Sequence, residues 1–292
     1  MTRARIGVIG GSGLYQMEGL QDMEEVSIDT PFGQPSGIVT LGLLEGERLA
    51  FLPRHGREHQ ISPTYVPVQA NIYALKSLGV EQIVSVSAVG SLKEEIKPMD
   101  MVIPDQIIDR TRSRVNSFFG ERISVHTAFA DPFCSVLSQI LHGAAKQVGA
   151  RVHQGGTYVA IEGPLFSTRA ESNLYRNWGT DIIGMTAVPE AKLAREAEIC
   201  YSTLACVTDY DCWHSDHESV TIDMVIANLR QNVDTAKKIL RLVIKNIPPA
   251  RECACATALE NAIVTAPDQV SPQIKKELAL LIGKYLPYER KQ

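Results

Sequence analysis

Near position 210 the chain reads TDYDCW, which places Asp209 and Asp211 two residues apart, directly after the apolar run CYSTLACV (200–207). That run has the composition of a buried strand, so two acids are carried to a strand end. A carboxylate there accepts a hydrogen bond from an exocyclic amino group, and in its acid form donates to a ring nitrogen. This is the chemistry needed to read adenine and to help it leave. Taken alone, the pair is equally well explained as an Asx turn between strand and helix.

Other segments offer complementary chemistry. PRHGREH (53–59) follows the strand-like LAFL and sets Arg54 beside His55. Arginine presents a fixed fork to an anion and histidine a further donor. The His55/His59 spacing does not make a zinc helix, because no HExxH is present and Gly56 weakens a helix there. In GVIGGSG (7–13) a glycine turn presents Ser12; no register completes G-x-G-x-x-G, and no Lys-Ser/Thr follows as in a P-loop. SVSAVGSL (85–92) crowds small residues at a strand end, with Ser87 and the Ala88 amide as candidate donors. IEGPLFSTRAES (161–172) offers Phe166 for stacking on a planar ring and Ser167 as a donor. In IGMTAVPEAKLAREAEI (183–199), Thr186 and the amides of a helix start suit an anion, and Met185 suits a sugar face. Each has a plainer reading, as a tight turn, a surface charge or a buried aromatic.

The elements that must position these residues are short apolar runs alternating with helical patterns. Strands are expected at 6–9, 37–43, 48–52, 82–87, 100–104, 157–161, 182–184 and 202–207. Helices are expected at 66–78, 132–148, 169–178, 189–198, 222–245 and 272–286. Thr168 and Glu171 fit a capping box, and Pro189 suits a first helical turn. Alternation of this kind argues for one α/β domain over residues 1–248, with a C-terminal extension over 249–292 that carries a C-x-C pair and a final helix packing on the same domain.

Composition sets the bounds. The 292 residues are 45% hydrophobic and 21% charged, with a net charge of −4, which argues against a nucleic-acid partner. No apolar run is long enough to span a membrane and no signal-peptide pattern is seen, so a cytoplasmic protein is expected. The six cysteines then read as reduced thiols. Cys253-Ala-Cys255 lacks the C-x2-C spacing of common zinc sites; it reads as a bland pair or a disulfide, and no metal is expected.

In order and context these motifs resemble the 5′-methylthioadenosine phosphorylase branch of the trimeric purine nucleoside phosphorylases, from about Ile6 to about Leu240. The resemblance implies a twisted mixed sheet, in the form of a distorted barrel, flanked by helices. It implies phosphorolysis of methylthioadenosine to adenine and methylthioribose 1-phosphate in purine and methionine salvage, with phosphate as co-substrate and no cofactor. By position it implies phosphate binding by Ser12, Arg54, His55, Ser87, Ala88 and Thr186. Met185 then faces the ribose, Phe166 and Ser167 line the base pocket, and Asp209 and Asp211 meet adenine N7 and N6. Ile222, Val225 and Ile226, spaced i, i+3, i+4 in TIDMVIANL, match the apolar 5′ pocket; a plain core stripe explains the same spacing. His126 matches a residue supplied by a neighbouring subunit, which implies a trimer or a dimer of trimers.

Gly184 stands where the family often has Asn, and Leu165 where it often has Arg. These departures keep a 6-oxopurine or methylthioinosine phosphorylase open as the alternative. A non-catalytic nucleoside sensor is the reading outside the class. A dinucleotide oxidoreductase is disfavoured by the broken glycine fingerprint.

Overall fold

A computed structural model describes residues 3–11, 13–14, 16–214 and 222–287. Its centre is formed by strands β1 (Ile6–Gly10), β4 (Glu47–Pro53), β5 (Gln82–Ser91) and β11 (Cys200–Asp209). Both faces of these strands are covered, so they read as near-continuous apolar runs, as parallel strands do. Side-chain alternation sorts them. Ile6, Val8, Leu49 and Phe51 enter one core with Leu141, Ile239 and Val243, while Ile9, Ala50 and Leu52 enter another with Leu75, Leu193 and Tyr201. Helices α2 (Ser135–Gln147) and α5 (Ile222–Asn246) cover the first face; α1 (Val68–Ser77) and α4 (Ala187–Glu196) cover the second.

Among the described residues the mixed sheet has eleven strands. Its longest path runs β2 (Gln21–Val26), β3 (Val39–Leu44), β4, β1, β5, β10 (Ile182–Gly184), β9 (Thr157–Ile161), β7 (Gln106–Arg110). On the other side of β5 lies β11, which leads to β6 (Met101–Ile103) and β8 (Val152–Gln154). Strand β5 is long enough to take two partners along one edge. It pairs parallel with β1 over Gln82–Ser85 and antiparallel with β10 at Gly90 and Ser91. The sheet is not closed, in contrast to the distorted barrel expected, because β2 and β7 each pair with a single neighbour.

Most of the expected elements fall where the periodicity put them, but the short strands β7 and β8 were not expected. Other differences have local causes. Strand β2 (QDMEEV) carries three acids and is almost wholly exposed, so it shows no inward face. Helix α4 contains a non-helical Val188 before the cis Val188–Pro189 bond. The expected helix over 272–286 divides at Leu278 into α6 (Pro272–Glu277) and α7 (Ala279–Ile282). Leu278, Leu281 and Ile282 of this tail join the same core as Leu75 and Leu193. The capping box at Thr168 and Glu171 opens α3 (Arg169–Asn177).

Candidate active site

Strands β4, β1, β5 and β11 run parallel in adjacent positions, so their carboxyl ends meet along one edge. In open α/β sheets this is where ligand crevices form. The Arg54 amide donates to the Gly10 carbonyl at 3.0 Å, holding the loop after β4 against the loop after β1. Residue 12 lies outside the described residues, so Ser12 has no structural account.

Arg54 is only 3% exposed. Its Nε donates to Glu190 at 2.5 Å, and Nη2 donates to Glu190 at 3.2 Å and to Ser85 at 2.6 Å. Nη1 donates to the Val86 carbonyl at 3.0 Å, which among the described residues leaves one Nη1 hydrogen for a ligand. Burial alone lowers the Arg54 pKa, but Glu190 reverses this and the net shift is upward. Glu190 also accepts from Ser85 at 3.1 Å and Tyr201 at 2.8 Å. Its carboxylate therefore fixes the guanidinium from the floor of the site.

His55 departs from the donor role expected of it. Its Nδ1 donates to the Ile61 carbonyl at 2.8 Å, since a carbonyl can only accept. Burial first, and then the Arg54 charge, lower its pKa to about 4. The ring is thus neutral and Nε2 is an acceptor. Arg54, His55, Met185, Thr186 and Glu190 line one pocket, together with Arg114. Ser87 sits on β5 one residue beyond Val86, and its hydroxyl is buried with no hydrogen-bond partner among the described residues. Ala88 follows it, partly buried. Thr186 precedes α4 and makes no capping bond with its side chain.

The two acids close the other end of this edge. Strand β11 bulges between Val207 and Asp209 against β5, and brings Asp209 beside Gly90. A Cβ on Gly90 would stand 2.8 Å from Asp209 Oδ1, so glycine is required for the carboxylate to lie there. Asp209 accepts from the Thr208 hydroxyl at 2.6 Å and from the Asp211 amide at 2.8 Å. Both acids are buried. Burial raises the Asp209 pKa; it pushes Asp211 up to about 6, with the Asp209 charge adding to the shift. Asp211 holds φ at 52°, an uncommon left-handed conformation that turns the chain sharply at the strand end.

The remaining candidates gather around these two ends unequally. The Ser167 hydroxyl is buried without a partner among the described residues, and its carbonyl accepts from Cys212 at 3.2 Å, tying this segment to the acid turn. Phe166 is half exposed. Met185 packs so closely on Gly163 that a Cβ there would lie 2.5 Å from its sulfur. The side chains of Ile222 and Val225 lie outside the described residues, and Ile226 is exposed on α5. His126 is exposed and lines neither of the described pockets.

The sequence family described as the phosphorylase superfamily matches residues 5–245. The chain belongs to this superfamily. It is similar to the S-methyl-5′-thioadenosine phosphorylase of Geobacter sulfurreducens, at 56% identity over 282 residues, covering 96% of this chain and 99% of that one. It is also similar to the S-methyl-5′-thioadenosine phosphorylase of Koribacter versatilis, at 54% identity and 97% coverage of each chain. Among solved structures, a methylthioadenosine phosphorylase from an antarctic soil metagenomic library superposes with a TM-score of 0.92 at 50% identity, covering 96% of this chain and 99% of that one. The Schistosoma mansoni methylthioadenosine phosphorylase, in complex with adenine, superposes with a TM-score of 0.83 at 34% identity, covering 90% of this chain and all of that one.

Within this superfamily member, the departure at Gly184 has a steric reason. A Cβ at 184 would stand 2.0 Å from the Tyr158 hydroxyl, so tyrosine fills the space a side chain there would take. Tyr158 reaches Thr186 from the same place, with its hydroxyl 3.4 Å from both the Thr186 amide and hydroxyl. Arg114 and Tyr158 escaped the sequence reading, as did three further residues that brace the site. Glu190 looks like a solvated helix acid. Asn228 and Asn232 look like ordinary polar positions of α5, yet they donate to the carbonyls of Thr208 at 2.6 Å and Val207 at 3.0 Å, pinning the bulge that carries Asp209. Their i, i+4 spacing was the available signal.

Proposed function

We propose that this chain catalyses phosphorolysis of 5′-methylthioadenosine, giving adenine and 5-methylthioribose 1-phosphate. The observation that carries this reading is the buried pair Asp209 and Asp211, with raised pKa values, at the same sheet edge as buried Arg54. The phosphorylase relatives support it.

In this reading phosphate is held by the remaining Arg54 hydrogen, the unpartnered Ser87 hydroxyl, the Ala88 amide, Thr186 and Ser12. His55 Nε2 accepts a hydrogen bond from the phosphate's own O–H, which keeps its proton. Met185 packs on the ribose, and Phe166 and Ser167 bound the base. As the C1′–N9 bond breaks, negative charge grows on adenine and positive charge on the ribose. Asp209, in its acid form, gives its proton to N7 as the base leaves, Asp211 accepts from the 6-amino group, and a phosphate oxygen forms the new bond to C1′. Most of the rate enhancement then comes from positioning and fixed electrostatics. No metal or organic cofactor enters the reaction.

Ile222, Val225 and Ile226 enclose the methylthio group, and His126 reaches the 5′ region of a neighbouring subunit in a trimer or dimer of trimers. The enzyme would work in the cytoplasm, in purine and methionine salvage. A 6-oxopurine would set an acceptor oxygen against Asp211, which disfavours inosine and methylthioinosine.

The test is adenine release from methylthioadenosine with and without phosphate, beside methylthioinosine and adenosine. Phosphate-dependent cleavage that prefers methylthioadenosine supports the proposal. Preference for methylthioinosine overturns the base assignment, and absence of cleavage overturns the activity.

A further inference from the structure

Away from the catalytic edge, four cysteine sulfurs converge. Those of Cys134, Cys200, Cys253 and Cys255 all lie within 4.8 Å of one another. Cys253 is 3.2 Å from Cys200 and 3.7 Å from Cys134, sulfur to sulfur. A tetrahedron of thiolates with metal–sulfur bonds of about 2.3 Å has edges of about 3.8 Å, close to this spacing. From this geometry we propose that the four cysteines form a tetrahedral thiolate site for zinc.

The sulfurs come from three separated parts of the chain. Cys134 is the residue capping α2, Cys200 is the first residue of β11, and the C-x-C pair lies in the segment after α5. The backbone fixes two of them independently of any metal. The Cys134 amide donates to the Tyr201 carbonyl at 2.8 Å, and the Cys200 amide donates to the Glu81 carbonyl at 2.9 Å. Cys134, Cys200 and Cys255 are buried and Cys253 is partly exposed, which gives a metal one approach. All four are free thiols. A disulfide would use two sulfurs at about 2.05 Å, and would not require the other two to converge. Thiols are weak hydrogen-bonding groups, so mutual bonding gives little reason to gather four of them. Four soft ligands in a closed shell suit zinc in a structural role. Cys200 stands at the opposite end of β11 from Asp209, so the site is separate from the catalytic one. Its effect is to clamp the C-terminal segment, which feeds Leu259, Leu278 and Leu281 into the core, to the strand that carries the acids.

The test is elemental analysis of the full chain, purified without metal-affinity steps, together with cobalt exchange. The expected result is about one zinc per chain. Replacement by cobalt should give thiolate-to-metal charge transfer in the near ultraviolet and intense tetrahedral bands in the visible. Cys200→Ser and Cys255→Ser should each lower zinc retention at least tenfold, while Cys206→Ser, at a buried thiol outside the cluster, should leave it unchanged. The proposal is overturned if the reduced wild-type chain carries no zinc and takes up none when Zn2+ is added. It is equally overturned by a disulfide among these four cysteines in the protein as isolated from cells.

Discussion

Glu190→Gln tests how the proposed phosphate grip is built. The side chains of Glu190 and Arg54 are 1% and 4% exposed, so their charges have little access to water. The carboxylate accepts from Arg54 twice, and from Ser85 and Tyr201. Glutamine retains one acceptor oxygen and must turn an NH2 toward groups that also donate. The Arg54 charge is then buried without compensation. Breaking a buried pair from one side costs about 3–5 kcal/mol. For a chain of this size roughly 2 °C of Tm accompanies each kcal/mol, so a fall of about 6–10 °C is expected by calorimetry. The KM for phosphate should rise as well, because the guanidinium loses its anchor. The double variant Arg54→Met/Glu190→Leu separates the two effects. It removes both charges, so it should recover most of the lost stability while leaving phosphate affinity abolished. A Glu190→Gln protein melting within about 1 °C of wild type would refute the account of Glu190 as the counter-charge.

Asp209→Asn should cut kcat for adenine release by two orders of magnitude or more, with a smaller change in nucleoside KM; unchanged turnover in a steady-state assay would remove Asp209 from the N7 role. Asp211 titrates near 6 in the fold against 3.8 for a free side chain. A raised acid pKa means that its stability contribution is complete below about pH 4 and lost as pH rises through 6. Asp211→Asn should therefore melt higher than wild type above pH 6, by an amount equivalent to at most about 3 kcal/mol, and match it below pH 4. Gly184→Ala should destabilise by about 1–3 kcal/mol through collision with the Tyr158 ring, and Tyr158→Leu in the same chain should restore most of that loss in a denaturant titration.

Where a residue's role is set by its own segment, the sequence disclosed it. The apolar run before TDYDCW lies in β11, whose last residue is Asp209, with Asp211 in the turn that follows. The Thr168–Glu171 box opens a helix because each partner lies within one turn of the other. Roles set by distant partners were hidden. Glu190 meets Arg54 across 136 positions, and the four clustered cysteines are drawn from three segments that no spacing rule connects. His55 lines the pocket with Arg54, but its hydrogen-bonding sense was hidden, because that depends on the Ile61 carbonyl, which only the loop geometry brings to Nδ1. Strand β2 was invisible because its acids face water.

That exposed strand bears on how the protein behaves in a crowded solution. An open sheet ends in unpaired amides and carbonyls, and these invite addition of a strand from another molecule. Here the rim at β2 bears Asp22, Glu24 and Glu25, is interrupted by a register shift between Gln21 and Glu24, and twists through a positive φ at Asp22. Glu24 and Glu25 are further engaged by Arg48 and Arg57. Like charges would face one another if two such rims met. Lateral growth into fibres is therefore opposed at this border.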